Sequence, residues 1–422
     1  MVGKLLNIDR WKQLLSNQFL RNAGWLGLAE LANRIFRLGT TVTLARMFSQ
    51  EDYGLMAIVY TVFEFANVLT LRNGLGAKII QADEADLEDI CNTSYWINWI
   101  LCISITLLQC GMAFPIAHLY GTPELVLPLC ALSSMYLLFP FFMVQGALID
   151  RENRLKIRAF CYAAQSLISN VVTITLALFG FGVWAIVLSL VLSTPIWILI
   201  TWKNHPWRPR KSITFAKWKT VINYGRNMLG IDLLIRIKNN LDYLIVGKIL
   251  GLDALGIYFF AFNAGSGITM NVVNALMSAL FPHLCSVRDQ IHLLKQEYFH
   301  SLKKVAKILI PLVLLQTLLA PFYVPIIFGS KWSEAIPVLM IICLSVIPRA
   351  YKWASATLIN TVDKTHISLQ LDLLYTLIFA VVLWIVTPYG ILSVAVSVLI
   401  LHILMSSFVN WISIRLVFAK IL

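Results

Sequence analysis

Long apolar runs separated by short polar stretches dominate the chain. They fall near residues 22–45, 52–71, 91–115, 124–147, 157–179, 182–202, 221–247, 254–282, 302–327, 333–359, 366–386 and 390–414. Most reach the roughly 20 residues that a helix needs to cross a bilayer. In lipid every backbone polar group must be satisfied internally, and the runs are continuous rather than alternating, so they predict helices and not barrel strands. The reading is an all-α polytopic membrane protein of about 12 transmembrane helices. The first, seventh and tenth runs are the most polar. The seventh carries Arg226, Asp232, Arg236, Lys238 and Asp242, and a hydropathy scan alone would pass over it.

A repeat restores it. Glu30 and Arg34 recur as Asp232 and Arg236, and at the same spacing Tyr53-Gly54-Leu55 faces Leu255-Gly256-Ile257. Further along, Tyr120-Gly121 corresponds to Phe328-Gly329, and Gly182 in one tight turn corresponds to Gly390 in another. The chain therefore divides into a basic amphipathic N-terminal segment at 1–21, a first six-helix lobe at 22–202, a linker at 203–217 and a second six-helix lobe at 218–416. An even number of spans per lobe predicts parallel repeats related by an axis along the membrane normal. The linker contains His205-Pro206-Trp207-Arg208-Pro209-Arg210, whose prolines and charges suit a surface connection.

Composition agrees. The chain has 422 residues, 59% of them hydrophobic and only 13% charged, far too few polar groups to cover a soluble core of this size. The net charge of +13 does not mark a nucleic-acid binder, because the basic residues collect in loops. One side of the membrane holds the groups around Arg151–Arg158, Lys203–Lys219 and Arg288–Lys307. The other holds Arg46, Lys248 and Lys331. That bias places both termini in the cytoplasm. Residues 1–21 mix Lys4, Arg10, Lys12 and Arg21 with Leu and Trp, reading as a segment at the membrane surface rather than a signal peptide. The seven cysteines form no CxxC motif and read as small buried hydrophobes.

Charges inside the spans are the candidate functional groups. Glu30, Arg34 and Arg37 share one helix face. Span seven supplies Asp232, Arg236 and Lys238, span ten Arg349 and Lys352, span two Glu64 and span eleven Asp372. An unpaired charge at mid-membrane costs at least ~2.5–3.5 kcal/mol, so these groups must face protein or water. One reading is a wet cationic cavity in which Arg34, Arg37, Arg236, Lys238, Arg349 and Lys352 hold a phosphate or pyrophosphate. The other is bracing, with Glu30–Arg34 and Asp232–Arg236 as structural ion pairs; ion coupling is the further role open to Glu30, Asp232 and Glu64. Arg226 and Asp242 lie near span ends and read as snorkelling groups. Asn263, Gly265, Gly267, Asn271 and Asn274 read as interhelical glue. Trp96, Trp99, Trp197, Trp202, Trp207, Trp218 and Trp332 read as interfacial belt residues. Walker, GxSxG and HExxH motifs are absent, and the histidines form no ligand cluster, so neither an enzyme nor a metal site is expected.

Three strings carry a resemblance: Leu44-Ala45-Arg46-Met47-Phe48 running on to Tyr53-Gly54-Leu55, Asn73-Gly74-Leu75-Gly76-Ala77-Lys78, and Asn240-Leu241-Asp242-Tyr243-Leu244-Ile245-Val246-Gly247-Lys248 continuing to Gly256-Ile257-Tyr258. They resemble the polysaccharide transporter family, Wzx-like flippases of the multidrug/oligosaccharidyl-lipid/polysaccharide (MOP) exporter superfamily. The resemblance implies a MOP-type flippase fold and alternating-access transfer of a lipid-linked oligosaccharide, usually on undecaprenyl pyrophosphate. It also implies the bacterial inner membrane, work alongside polysaccharide polymerase and export machinery in exopolysaccharide, capsule or O-antigen synthesis, and no cofactor beyond a coupling ion, H⁺ or Na⁺. The rival readings are a multidrug or other small-molecule exporter of the same superfamily, and a membrane glycosyltransferase or polymerase, for which the outward loops are too short.

Overall fold

A computed structural model of the chain describes residues 36–210 and 212–419. All regular structure among these residues is helical. Helix α1 covers 36–47. It is followed by α2 (Gln50–Leu69), α3 (Arg72–Ile80), α4 (Leu87–Tyr120), α5 (Val126–Ser133), α6 (Pro140–Arg151), α7 (Leu155–Leu178), α8 (Val183–Ser193) and α9 (Pro195–Asn204). After the linker come α10 (Trp218–Leu250), α11 (Leu252–Cys285), α12 (Ile291–Tyr323), α13 (Ile336–Thr361), α14 (Thr365–Val386) and α15 (Ile391–Phe418).

Ten of the expected spans have helices, or bent helix pairs, long and apolar enough to cross a membrane. The bent pairs turn by 50° between Pro123–Leu138 and Pro140–Arg151, and by 49° between Leu252–Gly267 and Thr269–Cys285. The seventh expected span, α10, is a continuous 33-residue helix whose charges keep it below that standard. The first expected span lies partly outside the described residues, together with the N-terminal segment 1–21. Many large apolar side chains are exposed, among them Leu107, Leu318 and Ile326. Such a surface suits lipid rather than water.

The chain forms two compact units, and neither is a continuous stretch. The first comprises residues up to Phe48 and Val59–Ile237; the second comprises Ser49–Ile58 and Lys238–Leu422. Helices α2 and α10 thus each contribute residues to both.

In the first unit, α3 packs on α6, α4 on α5, and α9 on α6 and α7. One core cluster gathers Leu75, Ile79, Ile90, Met143 and Val221; another gathers Tyr136, Phe139, Phe142, Cys161 and Trp197. In the second unit, α13 is the central helix, packed against α11, α12 and α15. Tyr53, Phe260 and Trp332 pack there ring against ring, with Phe260 and Trp332 stacked at 4.1 Å. Trp332 is wholly buried and Trp197 is 3% exposed, so neither is the belt residue its place near a span end suggests. All seven cysteines are free; Cys91, Cys102, Cys161 and Cys343 are buried.

The repeated glycines have two distinct physical reasons. Gly182 and Gly390 precede α8 and α15 with φ of 51° and 99°, a region that a Cβ makes costly. Gly54 and Gly256, by contrast, are helical and close to each other. A Cβ on Gly256 would overlap the Gln50 carbonyl and lie 3.0 Å from the Gly54 nitrogen, and one on Gly54 would overlap the Leu252 carbonyl. The motif shared by the two halves is therefore a near-contact of backbones, made inside the second unit.

Candidate functional site

The charged positions fall into two groups, one in each unit. In the first unit Arg236 Nη1 pairs with Glu64 at 3.2 Å, both side chains about a third exposed. Asp232, one helical turn before Arg236, accepts a 3.4 Å hydrogen bond from Asn73 Nδ2 at the start of α3. No ion pair joins Asp232 to Arg236. The helical spacing permits that pair, but a carboxylate on α2 takes the guanidinium instead. Arg37 is exposed on α1. Glu30 and Arg34 lie outside the described residues, and so does the expected Glu30–Arg34 pair.

In the second unit α10, α13 and α14 bring two lysines onto one carboxylate. Asp372 accepts Lys238 at 3.3 Å and Lys352 at 3.1 Å. Lys352 is the more buried, its side chain 14% exposed, and its ammonium sits 3.5 Å from the centre of the Tyr375 ring. Cation–π attraction strengthens when both partners are desolvated, as here. Arg349, one turn before Lys352 on the same helix, lies over Phe262 at 5.7 Å. Among the described residues no carboxylate stands within 4.0 Å of it. Arg349 acts on Asp242, so the three cations of this region face two carboxylates and leave a surplus of one positive charge, which is the condition for attracting an anionic group.

Behind this cluster lie further polar residues, of which Tyr375 and His402 have no signal in the sequence. Tyr375 stacks on His402 at 5.6 Å and its hydroxyl is 3.2 Å from His402 Nδ1. Asp242 is 5% exposed; it accepts a 3.0 Å bond from the Tyr258 hydroxyl and another from the Tyr243 N–H. The snorkelling role expected of Asp242 is therefore wrong: two donors compensate its burial, and a buried carboxylate needs such partners. Arg226, the other residue so read, is exposed. Signals for Asp242 existed in the repeat strings, but nothing in sequence indicates a partner sixteen residues away.

Two arginines assigned to loops or left aside are also drawn inward in the first unit. Arg158 opens α7, pairs with Asp150 at 3.2 Å and lies over Trp197 at 5.0 Å. Arg72, at the first turn of α3, lies over Phe139 at 5.0 Å. Both line a pocket of about 170 Å³ with Asp150 and Phe142. Of the glue residues, Gly265 does allow close approach, since a Cβ there would lie 3.1 Å from Leu339. The amides of Asn263 and Asn271 instead donate to their own helix. Gln316 makes the interhelical bonds, to the carbonyls of Ala264 and Gly265.

Among the described residues no group of three or more His, Cys, Asp or Glu could hold a metal ion.

Comparison with known proteins gives these clusters a setting. The chain is 26% identical over 329 residues to the succinoglycan biosynthesis transport protein ExoT of Rhizobium meliloti (strain 1021), which covers 77% of this chain but 65% of that protein. It is 22% identical to the lipopolysaccharide biosynthesis protein WzxC of Escherichia coli (strain K12), over 86% of this chain and 74% of that one. Among solved structures, an inward-facing multidrug resistance MATE family transporter of the MOP superfamily matches with a TM-score of 0.73 and 14% identity, covering 92% of this chain and 95% of that one. The lipid II flippase MurJ, in an inward closed conformation, matches at 0.70 and 13%, covering 93% and 91%. These likenesses make the fold that of the MOP superfamily. A sequence profile described as "Polysaccharide biosynthesis protein" matches residues 43–337, and with a match over that much of its length the chain belongs to the polysaccharide biosynthesis protein family.

Proposed function

We propose that the chain is a flippase that carries a lipid-linked oligosaccharide, on a polyprenyl pyrophosphate of the undecaprenyl type, across the bacterial inner membrane for exopolysaccharide, capsule or O-antigen synthesis. The observation that carries this reading is the pair of lysines, Lys238 and Lys352, sharing the one carboxylate of Asp372, with Arg349 one turn from Lys352 on the same helix. Fixed cations at membrane depth are costly unless something needs them, and a pyrophosphate needs them for its own passage. Arg236 is a second contact, its charge shared with Glu64; Arg34 and Arg37 extend the set. Membership of a polysaccharide family supports a sugar-bearing cargo, and the name of one relative, a transport protein, supports movement rather than chemistry. The cationic groups meet the head group alternately at the two membrane faces while the polyprenyl tail stays in lipid. An H⁺ or Na⁺ gradient supplies the direction, with Glu30, Asp232 and Glu64 as the carboxylates available to sense it. Termini in the cytoplasm would deliver the basic loops to the side where the cargo is made, beside the polymerase and export machinery that use it.

Proteoliposomes containing the full chain and a labelled polyprenyl-pyrophosphate oligosaccharide test this. Wild type should expose the label to an external enzyme, and Arg349→Ala with Lys352→Ala should lose at least ten-fold in rate at equal protein content. Unchanged flux in that double variant, or preferential export of an organic cation, would overturn the assignment. Collapsing the pH and sodium gradients separately identifies the coupling ion.

A further inference from the structure

Outside both charged clusters, the first unit carries a cavity of about 810 Å³ at the ends of α7 and α9. That is the size of a site for an organic ligand. Its walls are of two kinds. Arg154, Lys156 and Lys203 line it on the polar side, and Phe160, Leu199 and Ile200 on the apolar side. Phe160 and Leu199 are 62% and 67% exposed, on faces of membrane helices that present other bare apolar side chains, Leu167 and Leu192. Trp202 stands next to Lys203, its indole N–H donating to the Phe141 carbonyl; tryptophan so placed marks the head-group level of a bilayer.

The one acid in the lining is already satisfied. Glu152 accepts Arg154 at 3.1 Å and meets His205 at 3.2 Å. Arg154 also donates to the Asn204 carbonyl at the end of α9, at 2.8 Å, which ties the turn between α6 and α7 to that helix end. Among the described residues Lys203 has no carboxylate within 4.0 Å. Cations at head-group depth, opening directly onto an apolar helix face, match an amphiphile with an anionic head and an acyl tail. A free sugar or nucleotide would leave the apolar wall unused, and a neutral lipid would leave Lys203 without a counter-charge.

We propose that this groove is a binding site for an anionic phospholipid of the surrounding membrane, its phosphate held by Arg154, Lys156 and Lys203 and its acyl chain lying along Phe160 and Leu199. The site is separate from the positions assigned to the transported cargo. The test is native mass spectrometry of the full-length protein in detergent, titrated with phosphatidylglycerol and with phosphatidylcholine of the same chains. Phosphatidylglycerol should bind preferentially. Lys156→Ala and Lys203→Ala should each weaken it about five-fold, and both together about thirty-fold, as expected for basic groups near an anionic head group. Phe160→Ala should weaken it too, without altering the head-group preference. Equal binding of the two lipids would overturn the proposal, as would an unchanged affinity in the double lysine variant. So would tight binding of glycerol phosphate with no acyl chain, or displacement of phosphatidylglycerol by undecaprenyl phosphate at far lower concentration, which would make the groove a cargo site. Both lysines are exposed, and thermal unfolding of each variant at the wild-type temperature is the control that the fold is kept.

Discussion

Replacing Gly256 with alanine adds a single methyl group where the second unit has no room. That methyl would overlap the Gln50 carbonyl and lie 2.8 Å from its carbon and 3.0 Å from the Gly54 nitrogen. All three neighbours are backbone atoms, at the start of α2, so no side chain can swing aside. The helices must separate, and separation opens the packing of Tyr53 against Phe260 and Trp332. Overpacking of this kind typically costs about 1–3 kcal/mol. Alanine is intrinsically the better helix former by about 0.8–1 kcal/mol, which offsets part of that. With backbone on the far side of the contact, the steric cost falls in the upper part of that range, at about 2–3 kcal/mol, leaving a net loss of about 1–2 kcal/mol. Gly111, in the middle of α4, supplies the control: nothing lies within 4 Å of a Cβ built there, so Gly111→Ala should be neutral or mildly stabilising. Thermal unfolding of the detergent-purified protein, followed by size-exclusion fluorescence, reads both. A Gly256→Ala protein that unfolds at the wild-type temperature, or together with Gly111→Ala, would refute the claim that the repeated glycine exists for backbone contact.

Two other outcomes follow from the second unit. Asp372→Asn removes the counter-charge of both Lys238 and Lys352; stability should fall by on the order of 2–3 kcal/mol, and Lys352→Met in the same protein should recover part of the loss, as seen in urea or thermal unfolding. Trp332→Ala empties a fully buried site stacked on Phe260 and should cost about 3–5 kcal/mol, lowering the amount of folded protein in the membrane fraction, whereas Trp202→Ala, 40% exposed, should lower it far less.

The apolar runs along the chain were enough to determine the class and most of the spans. Length and the demand that lipid places on backbone hydrogen bonds act locally, so α4, α12 and α15 could be read directly. The repeat rescued α10, whose charges hide it from hydropathy, and the same repeat showed Gly54 and Gly256 to be equivalent positions. It could not show that they touch. Helical periodicity puts Asp232 within reach of Arg236, but only the packing of α2 decided that Glu64 takes that arginine. Likewise Lys238, Lys352 and Asp372 come from three helices spread over more than a hundred residues, and their meeting is a property of how those helices cross. Trp197 and Trp332 were misread for the same reason: a position near a span end fixes depth in the membrane, while burial depends on which neighbour covers the ring. Depth and helix formation are set by a segment's own atoms, so sequence determined them; partnership of charges is set by atoms from elsewhere in the chain, so only the tertiary structure could decide it.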